Sequence, residues 1–164
     1  MHAKYNKPNK MTKHKLFHMG MCLIIMACAS FVNLNAQNLE KHSWKNRILI
    51  FKASDSTSAL YQEQIKEFRD AADELNDRKF VLYKITGDDF EMTDFTKGEL
   101  TDSGKIEGKS IEKILQDKEN FEVILIGLDG GVKLRQAEVL NKEDLYKIVD
   151  VMPMRRNELR RKIE

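Results

Sequence analysis

FEVILIGLDGGVKLRQ, residues 121–136, decides how the chain is read. An apolar strand followed by clustered glycines can open a phosphate cradle, in which backbone N–H groups at a helix start hold an anion. It can equally be a tight turn. The residues after the glycines, Val132-Lys133-Leu134-Arg135, alternate as a strand does and show no helical period. The Asp129-Gly130 pair favours a hairpin turn that needs positive φ. The stretch therefore predicts two antiparallel strands joined by Leu128–Gly131, and the nucleotide reading fails.

Working outward from the hairpin, ILIF at 48–51 is an unbroken apolar run, as expected of a strand covered on both faces. KASDSTS follows, small and polar, and suits the start of a helix. From Ala59 to about Leu75, Leu60, Ile65, Phe68, Ala72 and Leu75 recur at helical spacing and predict one helix. FVLYKI at 80–85 is a second strand, which completes a right-handed β-α-β unit with a parallel pair. Thr86–Lys109 is polar and glycine-punctuated and reads as a loop or small insertion. Ser110–Leu115 reads as a short helix. After the hairpin, Asn141 is placed to cap a helix over NKEDLYKIVD, Pro153 marks its end, and MRRNELRRKIE reads as a basic tail. The order β-α-β, insertion, β-β-α predicts an α/β fold: a thioredoxin-like three-layer sandwich with a mixed sheet. Its expected parts are a leader at 1–36, the domain at 37–158 and a basic tail at 159–164.

Residues 1–36 contain Lys4, Lys7, Lys10, Lys13 and Lys15 but no arginine or carboxylate. The chain has 28 basic side chains, so 23 remain beyond the leader against 26 acidic ones, a net charge near −3. Nucleic acid is not an expected partner, because phosphate neutralisation calls for a basic domain. The basic stretch, the apolar Met19–Val32 and the small Ala36 follow the order of a secretory signal, with cleavage after Ala36. Fourteen residues fall short of the roughly 20 that span a bilayer. The alternative is acylation at Cys28, giving a lipid-anchored envelope protein; the first choice is a periplasmic or secreted one. The basic prefix is long, and Met11 and Met19 are the alternative starts. Both cysteines, Cys22 and Cys28, lie in the leader, so the remaining 128 residues or so carry no thiol. They can form neither a disulfide nor a cysteine nucleophile.

Gly104 to Ser110, GKIEGKS, has three residues between its glycines where a P-loop needs four. Asp88, Asp89, Glu91 and Asp94 lack calcium-loop spacing and read as a solvated loop. His42 is the only histidine outside the leader, which leaves zinc little to bind and excludes catalytic triads not built on it. It is expected to be exposed, and Trp44 is expected to plug the sheet end. The loop Ala53–Ser58 stands where thioredoxin-like enzymes keep a reactive cysteine, and it offers hydroxyls and Asp55 instead. It reads as a helix cap or as a small polar or anion pocket.

Three stretches together resemble the family called domain of unknown function 4174: Trp44-Lys45-Asn46-Arg47 before its strand, the 121–135 hairpin, and Asp150-Val151-Met152-Pro153-Met154-Arg155-Arg156 with Glu158. They are also similar to the peroxiredoxin-like DUDES domain of vertebrate secreted sushi-repeat and matrix proteins. The resemblance covers roughly Leu39 to Glu158 and implies a thioredoxin-like fold without redox cysteines, outside the cytoplasm, with no established activity. Leu128 departs from the pattern, where a lysine is expected.

The functional expectation is an exported, non-enzymatic interaction module with no cofactor, metal or catalytic residue, binding a protein or an anionic ligand. Membrane attachment is expected only through Cys28. Arg47, Lys133, Arg135, Arg155 and Arg156 are expected to form one basic surface, with Asp150 or Asp129 pairing to one of them. Alternatively, Arg47 and Asp150 simply lock the two ends of the domain together. The rival is a non-thiol enzyme whose substrate pocket lies at Ser54, Asp55 and the rest of the 54–58 loop.

Overall fold

The computed structural model describes residues 39–106, 115 and 119–163. A 3-10 turn, Leu39–His42, leads to β1 (Arg47–Ala53), α1 (Ala59–Glu67), α2 (Ala72–Asp77), β2 (Phe80–Thr86), β3 (Asp89–Asp94) and β4 (Glu99–Lys105). After the segment at 107–118 come β5 (Phe121–Ile126), β6 (Val132–Gln136), α3 (Lys142–Asp150) and α4 (Pro153–Ile163). The strands form one open mixed sheet in the order β4-β3-β2-β1-β5-β6. β1 and β2 run parallel and every other pair is antiparallel. This is the thioredoxin-like α/β arrangement that the β-α-β and hairpin order predicts.

Alternation along β1 explains its unbroken apolar run. Leu49, Phe51 and Ala53 enter one buried cluster with Tyr61, Phe68, Leu75, Leu145 and Val149, contributed by helices or their ends. Ile48 and Ile50 enter a second, with Tyr83, Ile85, Phe90, Ile124 and Ile126. Both faces of the sheet are therefore dry, which is what a strand without polar alternation requires. The helix expected at 110–115 lies outside the described residues, apart from Leu115, which packs against the second cluster.

Two departures from the sequence reading concern the helical layer and the insertion. The helix expected over 59–75 is broken at Phe68–Ala71, and its buried line is Tyr61, Gln64, Phe68, Ala71 and Leu75, whereas Leu60 and Ala72 are exposed. Gln64 escapes notice as a polar residue, yet it is fully buried. Its amide donates to Leu140 O (3.0 Å) and accepts from Leu140 N (2.7 Å), so it satisfies a buried backbone segment as a strand would. The insertion is not a loop. Phe90 and Met92 alternate with exposed Asp89 and Glu91 to make β3, which extends the sheet together with β4. The acidic residues disguise that alternation. Asp89 pairs with Lys105, Glu91 with Lys84, and Asp94 is buried, accepting from Thr96 N at 3.0 Å. Gly104, part of the near-miss phosphate motif, lies in β4 opposite the Phe90 ring.

The hairpin forms as expected. Gly130 takes φ +76°, Gly127 N donates to Gly131 O (2.9 Å), and the Asp129 carboxylate accepts from Gly131 N (3.1 Å). The basic tail is not a tail, because Pro153–Ile163 is α4.

Candidate functional site

Arg47 opens β1 on the face of Leu49 and Phe51, and its guanidinium is only 1% exposed. Its Nη1 donates to Arg78 O (2.7 Å) at the end of α2 and to Glu158 Oε2 (3.3 Å) on α4. Arg155, equally buried, donates from Nε to Asp150 Oδ1 (3.2 Å), from Nη1 to Asp77 O (2.8 Å) and from Nη2 to the Asp77 carboxylate. Arg78 grips Asp150 with two bonds, Nε to Oδ1 (3.1 Å) and Nη2 to Oδ2 (2.7 Å), and its guanidinium stacks 4.3 Å from the Tyr146 ring centroid. Lys79 reaches Glu158 (3.5 Å) and Lys162 reaches Asp77. Five cations thus interlock with three carboxylates where β1 starts, α2 ends, α3 ends and α4 begins.

The electrostatics follow from these contacts. Hydrogen bonding from Lys162, reinforced by Arg155, holds Asp77 below the ordinary carboxylate range. Burial works against ionising Asp150, but Arg78 and Arg155 outweigh it and its pKa also falls. Burial alone would favour losing the Arg155 proton; Asp77 and Asp150 reverse that and raise its pKa. Burial raises the Tyr146 phenol to about 12.

The other sequence candidates lie elsewhere. Arg135 pairs in register with Ile124, on the opposite face of the sheet from Arg47, and binds buried Glu122. Lys133 closes on Asp129 (2.7 Å) within the hairpin, and that contact keeps the Asp129 pKa low. Arg156 is exposed on α4. The single basic surface expected from Arg47, Lys133, Arg135, Arg155 and Arg156 is therefore not assembled: two of the five are buried and two more are held by carboxylates of their own hairpin. Of the expected lock, Asp150 is present, but Arg78 and Arg155 hold it, and Arg47 joins through Glu158. Asp77 and Arg78 were missed because nothing local marks them, and Glu158, though part of the quoted motif, was given no role; the contacts that join them to the group span 31 to 111 positions.

At the far end of β1, Ser54 is tied to Asn120 through its N–H (2.9 Å) and more loosely through its hydroxyl (3.4 Å). Asp55 accepts from Thr57 N (2.8 Å) and Thr57 Oγ1 (2.9 Å), which lowers its pKa. Ser58 caps α1 by accepting from Tyr61 N (3.4 Å). Apart from the tie of Ser54 to Asn120, the side-chain bonds of Asp55, Thr57 and Ser58 stay within the loop and the first turn of α1.

His42 and Trp44 exchange their expected places. His42 is 7% exposed, its Nε2 lies 2.9 Å from Tyr83 Oη, and burial, aided by Lys41, lowers its pKa to about 4. Trp44 is 68% exposed, with φ +64° and its N–H held by Leu128 O (2.7 Å). A turn that needs the left-handed region here points the indole outward, so it plugs nothing. Among the described residues no group of three His, Cys, Asp or Glu could hold a metal, and no helix is long and apolar enough to cross a membrane.

The profile of the family described as domain of unknown function (DUF4174) matches residues 38–158. The chain belongs to that family. No curated protein and no solved structure matches it. The DUF4174 match runs from just before the first 3-10 turn to Glu158, so it contains all of the charge network except Lys162. Arg160 and Arg161 also lie beyond the DUF4174 match.

Proposed function

We propose that this chain is an exported, non-enzymatic interaction module that meets an acidic surface of a partner protein through the outward side of α4. The observation that carries the reading is the division of that helix. Its inward Arg155, Glu158 and Lys162 are all engaged with the body of the domain. Its outward Arg156, Arg160 and Arg161 are exposed, and among the described residues none of the three has a carboxylate partner. Exposed guanidiniums without a carboxylate partner are suited to bidentate recognition of carboxylates, although Arg160 also donates to Asn157 Oδ1. The absence of any thiol beyond residue 36, and the engagement of Ser54 with Asn120 and of Asp55 and Ser58 with nearby backbone, favour binding over chemistry. The same loop geometry weakens the rival substrate pocket.

The test places a photo-crosslinking residue at Asn157 in the full-length chain in its own cells. The reading expects a protein adduct of defined mass that R156E/R160E/R161E abolishes, with the unfolding free energy unchanged to within about 0.5 kcal/mol. An adduct that persists in the triple variant sinks it. Export is read separately from the mature mass: a first residue of Gln37 supports it, acylated Cys28 replaces it with the lipid-anchored form, and an unprocessed chain refutes it.

A further inference from the structure

Trp44 is strained and exposed at once. It follows the first 3-10 turn with φ +64°, the left-handed region in which a helical end ordinarily places glycine or asparagine and which a bulky residue enters only at a cost. Backbone bonds hold it there: Trp44 N donates to Leu128 O (2.7 Å), and Lys45 N and Asn46 N both donate to His42 O (3.0 and 2.9 Å). The indole, the only one in the chain, is 68% exposed. Strain fixed beneath an outward aromatic does little for a core; it presents a rigid apolar group to something outside the molecule.

We propose that the Trp44 indole is the apolar anchor of the same acidic partner protein that meets the arginines of α4, an inference that rests on that reading of the helix. Position supports it. Arg47 lies three residues after Trp44, a reach of at most about 11 Å, and its guanidinium contacts Glu158 on α4. The indole and the helix therefore share the end of the sheet where β1 starts. Charge supports it too: Lys45 is exposed and, among the described residues, forms no ion pair, so the surroundings of the indole carry the same sign as Arg156, Arg160 and Arg161. One acidic surface complements both. Exposed ion pairs steer a partner and add little affinity, whereas a tryptophan buried on association supplies most of what they lack.

The test uses the full-length chain in its own cells. A photo-crosslinking residue at Lys45 is expected to capture a protein of the same mass as one at Asn157, and R156E/R160E/R161E should abolish both adducts. Trp44→Gly and Trp44→Asn keep the left-handed turn and remove the indole. Each is expected to reduce the Asn157 adduct about tenfold or more. Because both residues tolerate this φ, neither should lower Tm. A Tm that falls in both variants makes Trp44 a structural residue and overturns the inference. It is overturned alone, with the reading of α4 left standing, by an Asn157 adduct that the arginine variant abolishes and both Trp44 variants leave intact. A Lys45 adduct of twice the chain's own mass assigns the indole to a second copy, and a Lys45 adduct of any other mass, or none, separates it from the α4 partner; each overturns the inference. An Asn157 adduct indifferent to the arginines removes the reading and the inference together.

Discussion

The two ends of β1 solve the same problem in opposite ways. At its carboxyl end, Asp55 bonds two residues ahead and Ser58 three, so apart from the tie of Ser54 to Asn120 the side chains are satisfied locally. At its amino end, the bonds of Arg47 reach 31 and 111 positions along the sequence, and Arg155 reaches back 78. A local cap shapes one helix; a long-range network decides whether four elements meet at all. In a thioredoxin-like fold the first of these ends is where chemistry is expected, and here the charge is concentrated at the other.

The sharpest way to break this contrast is Arg155→Met. It removes a buried guanidinium from between Asp77 and Asp150, and the expected cost is about 3–5 kcal/mol, read from the urea unfolding midpoint. A loss under about 1 kcal/mol would show that the network follows the fold instead of holding it. A smaller effect is expected from His42, beside the same end of the sheet. Its folded pKa of about 4 lies below the ordinary 6.5, so the unfolded chain takes up the proton first. The contribution is complete above pH 6.5 and is lost as pH falls towards 4, on the order of 3 kcal/mol. His42→Gln, which keeps a hydrogen-bonding group for Tyr83, should flatten that part of the pH–stability curve. The slope from Asp77 and Asp150, whose pKa values are lowered, remains at more acid pH. The smallest effect belongs to the self-contained end, where Ser58→Ala should cost about 1 kcal/mol, seen as a modest drop in Tm.

The same contrast explains what the sequence disclosed. Features written in adjacent residues were legible: the Asp129-Gly130 turn, the two-sided apolar run of β1, the helix start at Ser58 and α3 after Asn141. Even there, Asn141 occupies the cap position without a side-chain cap bond, and Lys142 N turns instead to Glu67 Oε1 (3.0 Å). What stayed hidden depended on tertiary partners. Gln64 looks solvent-facing until Leu140 is placed against it, and the carboxylates of β3 obscure a strand whose alternation is carried by only Phe90 and Met92. Of the candidate site, Arg47, Asp150 and Arg155 were visible as residues but not as a group. The group is completed by Asp77 and Arg78 at the end of α2 and by Glu158 in the middle of α4.

The span from Arg47 to Glu158 has a consequence for how the molecule is made. Synthesis delivers Arg47 111 positions before Glu158, so a growing chain cannot pair that guanidinium with its carboxylate until α4 is being made. Premature termination anywhere before α4 would leave a cation in the forming interior with no counter-charge, which opposes compaction. The interior around Arg47 thus acquires its counter-charge last, when α4 docks.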